Sequence, residues 1–226
     1  MDGDQVEDVK HEQFNSRPLL KDVAYEKLRA LIVSGTLPQG AFLAERRLAE
    51  VLNMSKTPVK SALERLESEG FITISPQQGV VVRTPSRNEI LDLIELRLAL
   101  ETLAVSRVAQ RGLTFNQQQG LRSNLAAQEV ALQAQDVPGM AELDIAFHLL
   151  LCEALGNRQV LQVMTLLKAR LQQMAFFVSS KASGRMENSL REHQRLFEAI
   201  EQRDVSRATS LLERHLEYGK QFLIQR

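Results

Sequence analysis

A single interruption in hydrophobic period limits this chain more than anything in its composition. From Asp22 to Gly70 apolar residues recur every three or four positions, as on helix faces. Then "FITISPQQGVVVR", residues 71–83, supplies two β-branched runs around a turn, the pattern of a hairpin. Beyond Arg87 the helical period returns, and no strand-like alternation follows it. The chain therefore reads as mainly α, with the hairpin marking where one unit ends and the next begins.

Within the first unit, Ala24, Leu28, Leu31 and Ile32 predict a helix stopped at Gly35. After a turn at Pro38 and Gly40, "ERRLAEVL" predicts a short second helix with Leu48, Val51 and Leu52 facing inward. Its N-cap slot holds Ala44, which forgoes a capping bond worth about 1 kcal/mol. "SKTPVKSALERLESEG", residues 55–70, predicts a third helix with Val59, Ala62, Leu63 and Leu66 in one stripe. Pro58 is tolerated there because first-turn amides have no intrahelical acceptor to lose, and Gly70 suits a position just past the end. Three short helices closed by a hairpin make a winged helix-turn-helix, assigned to residues 17–85. Residues 1–16 carry five acids against Lys10 alone and show no periodicity, so they are expected to be a mobile tail.

Ser86, with Glu89 three residues on, predicts a capping box that opens the second unit. Helices are expected at roughly 87–111, 115–135, 138–155, 158–181, 188–202 and 205–224, broken by Gly112, Pro138-Gly139, Gly156-Asn157, Ser183-Gly184 and Asp204. Residues 86–226 are thus expected to form an antiparallel all-helical bundle with room for an internal cavity. Ile90, Leu93, Ile94, Leu98 and Leu100 give its first helix apolar residues for the core and for a subunit contact.

Charge and cysteine content narrow the setting. The whole chain is formally neutral, but residues 17–85 carry ten Lys/Arg against seven Asp/Glu. That excess is too small to argue for nucleic acid by itself. The lone cysteine, Cys152, permits no intramolecular disulfide and fits a reducing cytoplasm. No stretch approaches a membrane span, so a soluble cytoplasmic protein without a membrane partner is expected.

Two constellations carry chemistry. A helix-turn-helix lays its second helix in the major groove, so that helix needs polar residues near its N-terminus. Ser55, Lys56, Thr57 and Lys60 meet that need, and Arg46 and Arg47 begin the helix before it. Gly79 would let the hairpin approach a minor groove, flanked by Gln77 and Gln78. The plainer alternative is a set of solvated side chains. In the second unit, His148, His193 and His215 fall on three different helices, and Asp144 precedes His148 by one turn. Three imidazoles and a carboxylate suit a divalent transition metal, zinc first, with nickel, manganese or iron as alternatives. An ordinary helical Asp–His pair and separate structural histidines are the competing account.

"LAERRLAEVLNMSKTPVKSALERLESEGFITISPQQGVVV" resembles the DNA-binding domain of GntR-family bacterial transcription regulators. The resemblance implies that Arg46, Ser55, Lys56, Thr57, Lys60 and Gly79 contact double-stranded operator DNA. The family usually has arginine at the positions of Lys56 and Lys60, and lysine lacks the planar fork that reads guanine bidentately. "LIELRLALETLAV", "ELDIAFHLLL" and "LREHQRLFEAIEQRDVSRATSLLERHLEYG" resemble the C-terminal effector-binding (FCD) domain of the FadR-type branch. That likeness implies a metal on Asp144, His148, His193 and His215, and a small organic acid effector beside it. It also places Arg97 against the effector, although Glu101, one turn along, could instead hold Arg97 in a salt bridge. The expectation is a homodimeric repressor and not an enzyme. The alternatives are a helical metalloenzyme, which would draw on Glu142, Glu153 or Glu192, and a bundle whose metal is purely structural.

Overall fold

The computed structural model describes residues 18–75 and 79–225. The expected tail over residues 1–16, and Gln77 and Gln78 of the wing, lie outside the described residues.

The N-terminal unit comprises α1 (Leu20–Val33), β1 (Phe42–Leu43), α2 (Glu45–Leu52), α3 (Lys56–Ser68), β2 (Ile72–Ser75) and β3 (Gly79–Val82). Its core joins Ala24, Leu28 and Ile32 of α1, Leu48 and Leu52 of α2, and the full α3 stripe to Phe71, Ile72, Val80 and Val82. Asn53, left-handed at φ 51°, closes α2 and starts the turn into α3. Val51 departs from expectation: it is 56% exposed, and Ala49 is buried in its place. On an eight-residue helix the inward face is narrow, and Leu48, Ala49 and Leu52 fill it.

The hairpin also has a third strand that the period did not announce. Phe42 and Leu43 pair antiparallel with Val81 and Val80, giving the order β1-β3-β2. Two residues, one of them 58% exposed, show no alternation to read. This strand gives Gly79 its purpose. At φ +104° the glycine lies where an added Cβ would sit 2.8 Å from the Leu43 carbonyl oxygen. Gly79→Ala is therefore expected to cost about 1–3 kcal/mol, read as a lowered urea midpoint. An unchanged midpoint would show that the β1 backbone yields freely.

Ser86 caps α4 (Arg87–Arg111) through the reciprocal box with Glu89. Glu89 also pairs with Arg83 at 2.9 Å, and Arg83 donates to the Gly70 carbonyl at 3.2 Å. The Ser86 backbone and hydroxyl donors, then Arg83, hold the Glu89 carboxyl down to about 2. Wing, recognition helix and bundle are thereby tied at one joint.

The second unit continues with α5 (Phe115–Gln133), α6 (Val137–Leu155), α7 (Arg158–Lys181), α8 (Arg185–Glu201) and α9 (Val205–Ile224). α4 packs along α9 and α6, α6 against α5 and α7, and α8 against α9. Val105, Val108, Leu121, Phe147, Leu151, Leu196, Ile200 and Leu212 form the largest shared core here. Ile90, Leu93 and Ile94 are buried inside the subunit, so the exposed apolar face of α4 is instead Leu96 and Leu103, two turns apart. α8 begins at Arg185, three residues before the expected start, because left-handed Gly184 precedes it without any side-chain cap to mark the spot. α1 also rests on α7, where Ala169 joins the N-terminal core. Among the described residues, no helix is long and apolar enough to cross a membrane.

Candidate functional site

The four expected ligands converge. Asp144 and His148 lie one turn apart on α6, His193 is on α8 and His215 on α9. All four are buried, and one donor atom from each falls within 4.8 Å of the others.

Their neighbours decide which nitrogen each imidazole presents. Asn124 Nδ2 donates to the Leu143 carbonyl, so its Oδ1 accepts from Gln128 Nε2 at 2.7 Å. Gln128 Oε1 is then left facing His193 Nδ1 at 2.9 Å and must accept from it. Glu192 Oε2 lies 2.7 Å from His215 Nδ1 and 2.9 Å from Arg185 Nη2, and a carboxylate oxygen can only accept from both. His148 Nδ1 stands 2.6 Å from Glu101 Oε2, close enough for an ion pair but without straight hydrogen-bond alignment. The acceptors facing His193 and His215 favour an outward proton on Nδ1 of each, although Arg185 Nη2 also stands 3.2 Å from His215 Nδ1, and His148 Nδ1 is turned the same way toward Glu101. The three Nε2 atoms are turned toward one another and Asp144.

That arrangement is costly without a cation. His148 Nε2 and His215 Nε2 are 3.2 Å apart, and His193 Nε2 lies 3.5 Å from Asp144 Oδ1 with no hydrogen-bond partner. A zinc–nitrogen bond of about 2.0–2.1 Å puts neighbouring donors roughly 3.0–3.4 Å apart, so these two pairs already stand near the spacing of one ion's donors, and the full set, within 4.8 Å, would draw in around it. Outward N–H groups bonded to carboxylate or amide oxygens are also what fix the orientation of metal-binding histidines. Ser189 Oγ donates to Asp144 Oδ1 at 2.8 Å and holds that carboxylate in place.

Burial opposes the charge on Asp144, but the surrounding imidazoles and Arg97 hold its carboxyl far below the usual range. Burial likewise opposes the charge on Glu101, yet Arg97 and His148 bring it to about 2. Burial depresses both His193 and His215 below the usual imidazole value of 6.5. In the unfolded chain these two histidines take up protons near pH 6.5 that the fold excludes. The ion-free protein should therefore lose stability as pH falls below about 6.5, by at most about 1.4 kcal/mol per unit for each histidine. Melting curves in chelator between about pH 7.5 and 5.5 test this. A flat profile would mean the cluster accepts protons at no cost.

Beside the cluster lies a cavity of about 50 Å³ bordered by Arg97, Asp144, Arg185 and His215, and otherwise by apolar side chains. Both readings of Arg97 meet here: its Nε donates to Glu101 Oε1 at 2.6 Å, while its Nη2 is buried without a hydrogen-bond partner. Arg185 stacks on Tyr218, 4.4 Å from the ring centre. Sequence reasoning missed Gln128, Ser189 and Arg185, and the link from Glu101 to His148. Nothing in their local pattern sets them apart, since the hydrogen bonds join residues as far as 65 positions apart.

At the other end, Ser55, Lys56, Thr57 and Lys60 stand exposed along the leading edge of α3. Arg46 and Arg47 are exposed too and share Glu50 at 3.1 and 3.5 Å, while Lys60 is 4.0 Å from Glu64. All are surface pairs of small net worth, so a phosphate can compete for each cation.

Residues 20–82 match the gntR family of bacterial regulatory proteins, and residues 92–218 match the FCD domain. The chain belongs to the GntR family, with an FCD domain. An HTH-type transcriptional regulator from the TAR-I ttuE-ttuC' intergenic region of Agrobacterium vitis is 35% identical over 127 residues, 55% of this GntR chain and 74% of that protein. The HTH-type transcriptional repressor RspR of Escherichia coli K12 is 29% identical over 205 residues, 91% of this chain and 89% of its own. A putative GntR regulator from Rhodococcus sp. RHA1 shares the fold, with a TM-score of 0.79 at 20% identity over 91% of this chain and 97% of that one. The family and both curated relatives are regulators, so the metalloenzyme alternative falls away. This GntR protein is a DNA-binding transcriptional regulator.

Proposed function

We propose that this regulator is a homodimeric cytoplasmic repressor whose grip on its operator is set by a small carboxylate bound at a divalent metal, zinc first. The observation that carries the reading is the convergence of three inward Nε2 atoms and the Asp144 carboxylate, beside the unpartnered Arg97 Nη2. Asp144, His148, His193 and His215 would hold the ion, with Glu101, Gln128 and Glu192 orienting the imidazoles. A metal there supplies a Lewis-acid anchor for an anion. Arg97 Nη2 supplies a second donor to the same anion, which a purely structural ion would not require.

On the DNA side, Arg46, Arg47, Ser55, Lys56, Thr57 and Lys60 would face the operator. Gly79 would act through the wing's shape. The Leu96–Leu103 face of α4 would meet the second copy, these two exposed leucines standing in line two turns apart. Two copies would read two half-sites. The test is metal analysis of the purified chain, followed by zinc titration against a competing chelator. A single tight site per chain is expected, and no uptake above that of a chain lacking all four ligands would refute the metal.

A further inference from the structure

Helix arithmetic shows how the cavity beside the metal cluster is graded. On α9, His215, Gly219 and Leu223 follow one another at four-residue spacing, so each stands about 6 Å farther from the cluster than the last. On α4, Arg97 and Ile94 line the same cavity, and Ile94 packs with Val178 and Leu223 in one apolar cluster. One end of the cavity is thus cationic and metal-facing, and the other offers only hydrocarbon. Gly219 leaves a gap between them: a Cβ built on it meets nothing within 4 Å. At about 50 Å³, with roughly 10–15 Å³ needed per water-sized group, the space takes about three to five such groups, enough for a short alkyl end whose carboxylate reaches out of it to Arg97 and the cluster.

We infer that the effector is a short aliphatic monocarboxylate, its carboxylate at Arg97 and the cluster and its alkyl end beside Gly219 and Ile94, pointing toward Leu223, and that Gly219 admits the chain. This rests on the carboxylate-at-metal reading above and narrows it. A sugar acid would bury hydroxyls where no partner waits, and a dicarboxylate would bring a second charge to the hydrocarbon end. Both are disfavoured by the walls themselves.

The test is calorimetry on the full chain loaded with zinc, using butyrate, succinate and gluconate as probes. Butyrate should bind at least about tenfold more tightly than the other two, a discrimination that a few misplaced groups readily give. Gly219→Leu, whose side chain enters the gap, should weaken butyrate at least about tenfold while zinc affinity stays within a factor of about three. Gly219→Ala, favoured in a helix, serves as a folding control and should melt no lower than the wild type. Tighter binding of gluconate or succinate, or an unchanged butyrate affinity in Gly219→Leu, overturns this inference while leaving the metal site standing. Failure of zinc to bind at all would remove the reading beneath it.

Discussion

His148→Ala should abolish tight zinc binding while leaving a folded, operator-competent domain at the other end of the chain. His148 is fully buried, and its Nε2 sits 3.2 Å from that of His215. Removing it takes away one of four donors and leaves Glu101 facing a void. Loss of an orienting partner alone typically costs about 10–100-fold in metal affinity, so loss of a ligand should cost more than about 100-fold. Glu101→Gln and Gln128→Leu belong to the milder class, with losses of roughly 10–100-fold expected. The measurement is zinc affinity by chelator competition, with circular dichroism confirming helix content. Equal zinc affinity in wild type and His148→Ala would mean that the ion sits elsewhere.

The second large effect is expected at the DNA end. Lys60→Ala and Lys56→Ala should each weaken operator binding well beyond Lys181→Ala, an exposed bundle lysine used as a control. Removing a lysine that neutralises a phosphate should also flatten the dependence of log affinity on log salt, by about 0.9 per subunit. Lysine gives a point charge in place of a planar fork, so the weakening should be similar across operator variants and not confined to one base. A variant with the wild-type salt slope would show that its lysine does not meet phosphate. Loss of preference at one base pair would show that lysine reads sequence after all.

Helices were the most legible part of the chain, because their period and punctuation are local. The Ser86–Glu89 box and the α3 stripe follow from a few adjacent residues and are present as expected. β1 was not legible, because its pairing with β3 joins residues far apart in the chain and leaves no alternation behind. Val51 failed for a related reason: period places a residue on a face, but only packing fixes how wide the buried face is. The cluster residues could be named in advance since histidine is scarce here and each one fell on a different helix. Their supporting residues could not. Gln128 looks like any glutamine of α5 until Asn124 and Leu143 set its amide. Arg185 lay in an expected loop and became a wall of the cavity when α8 began a turn early.

Coupling between the two ends is the central claim, and it has one direct measurement. An effector can shift operator occupancy only by its differential affinity for the DNA-competent arrangement, and the shift must be reciprocal. Operator affinity of the full chain should be measured with zinc alone, with zinc and saturating butyrate, and with chelator and butyrate. The account predicts that butyrate changes operator affinity roughly 5–150-fold, only with zinc present, and that operator changes butyrate affinity by the same factor. Identical operator affinity under all three conditions, with zinc and butyrate both demonstrably bound, would contradict it.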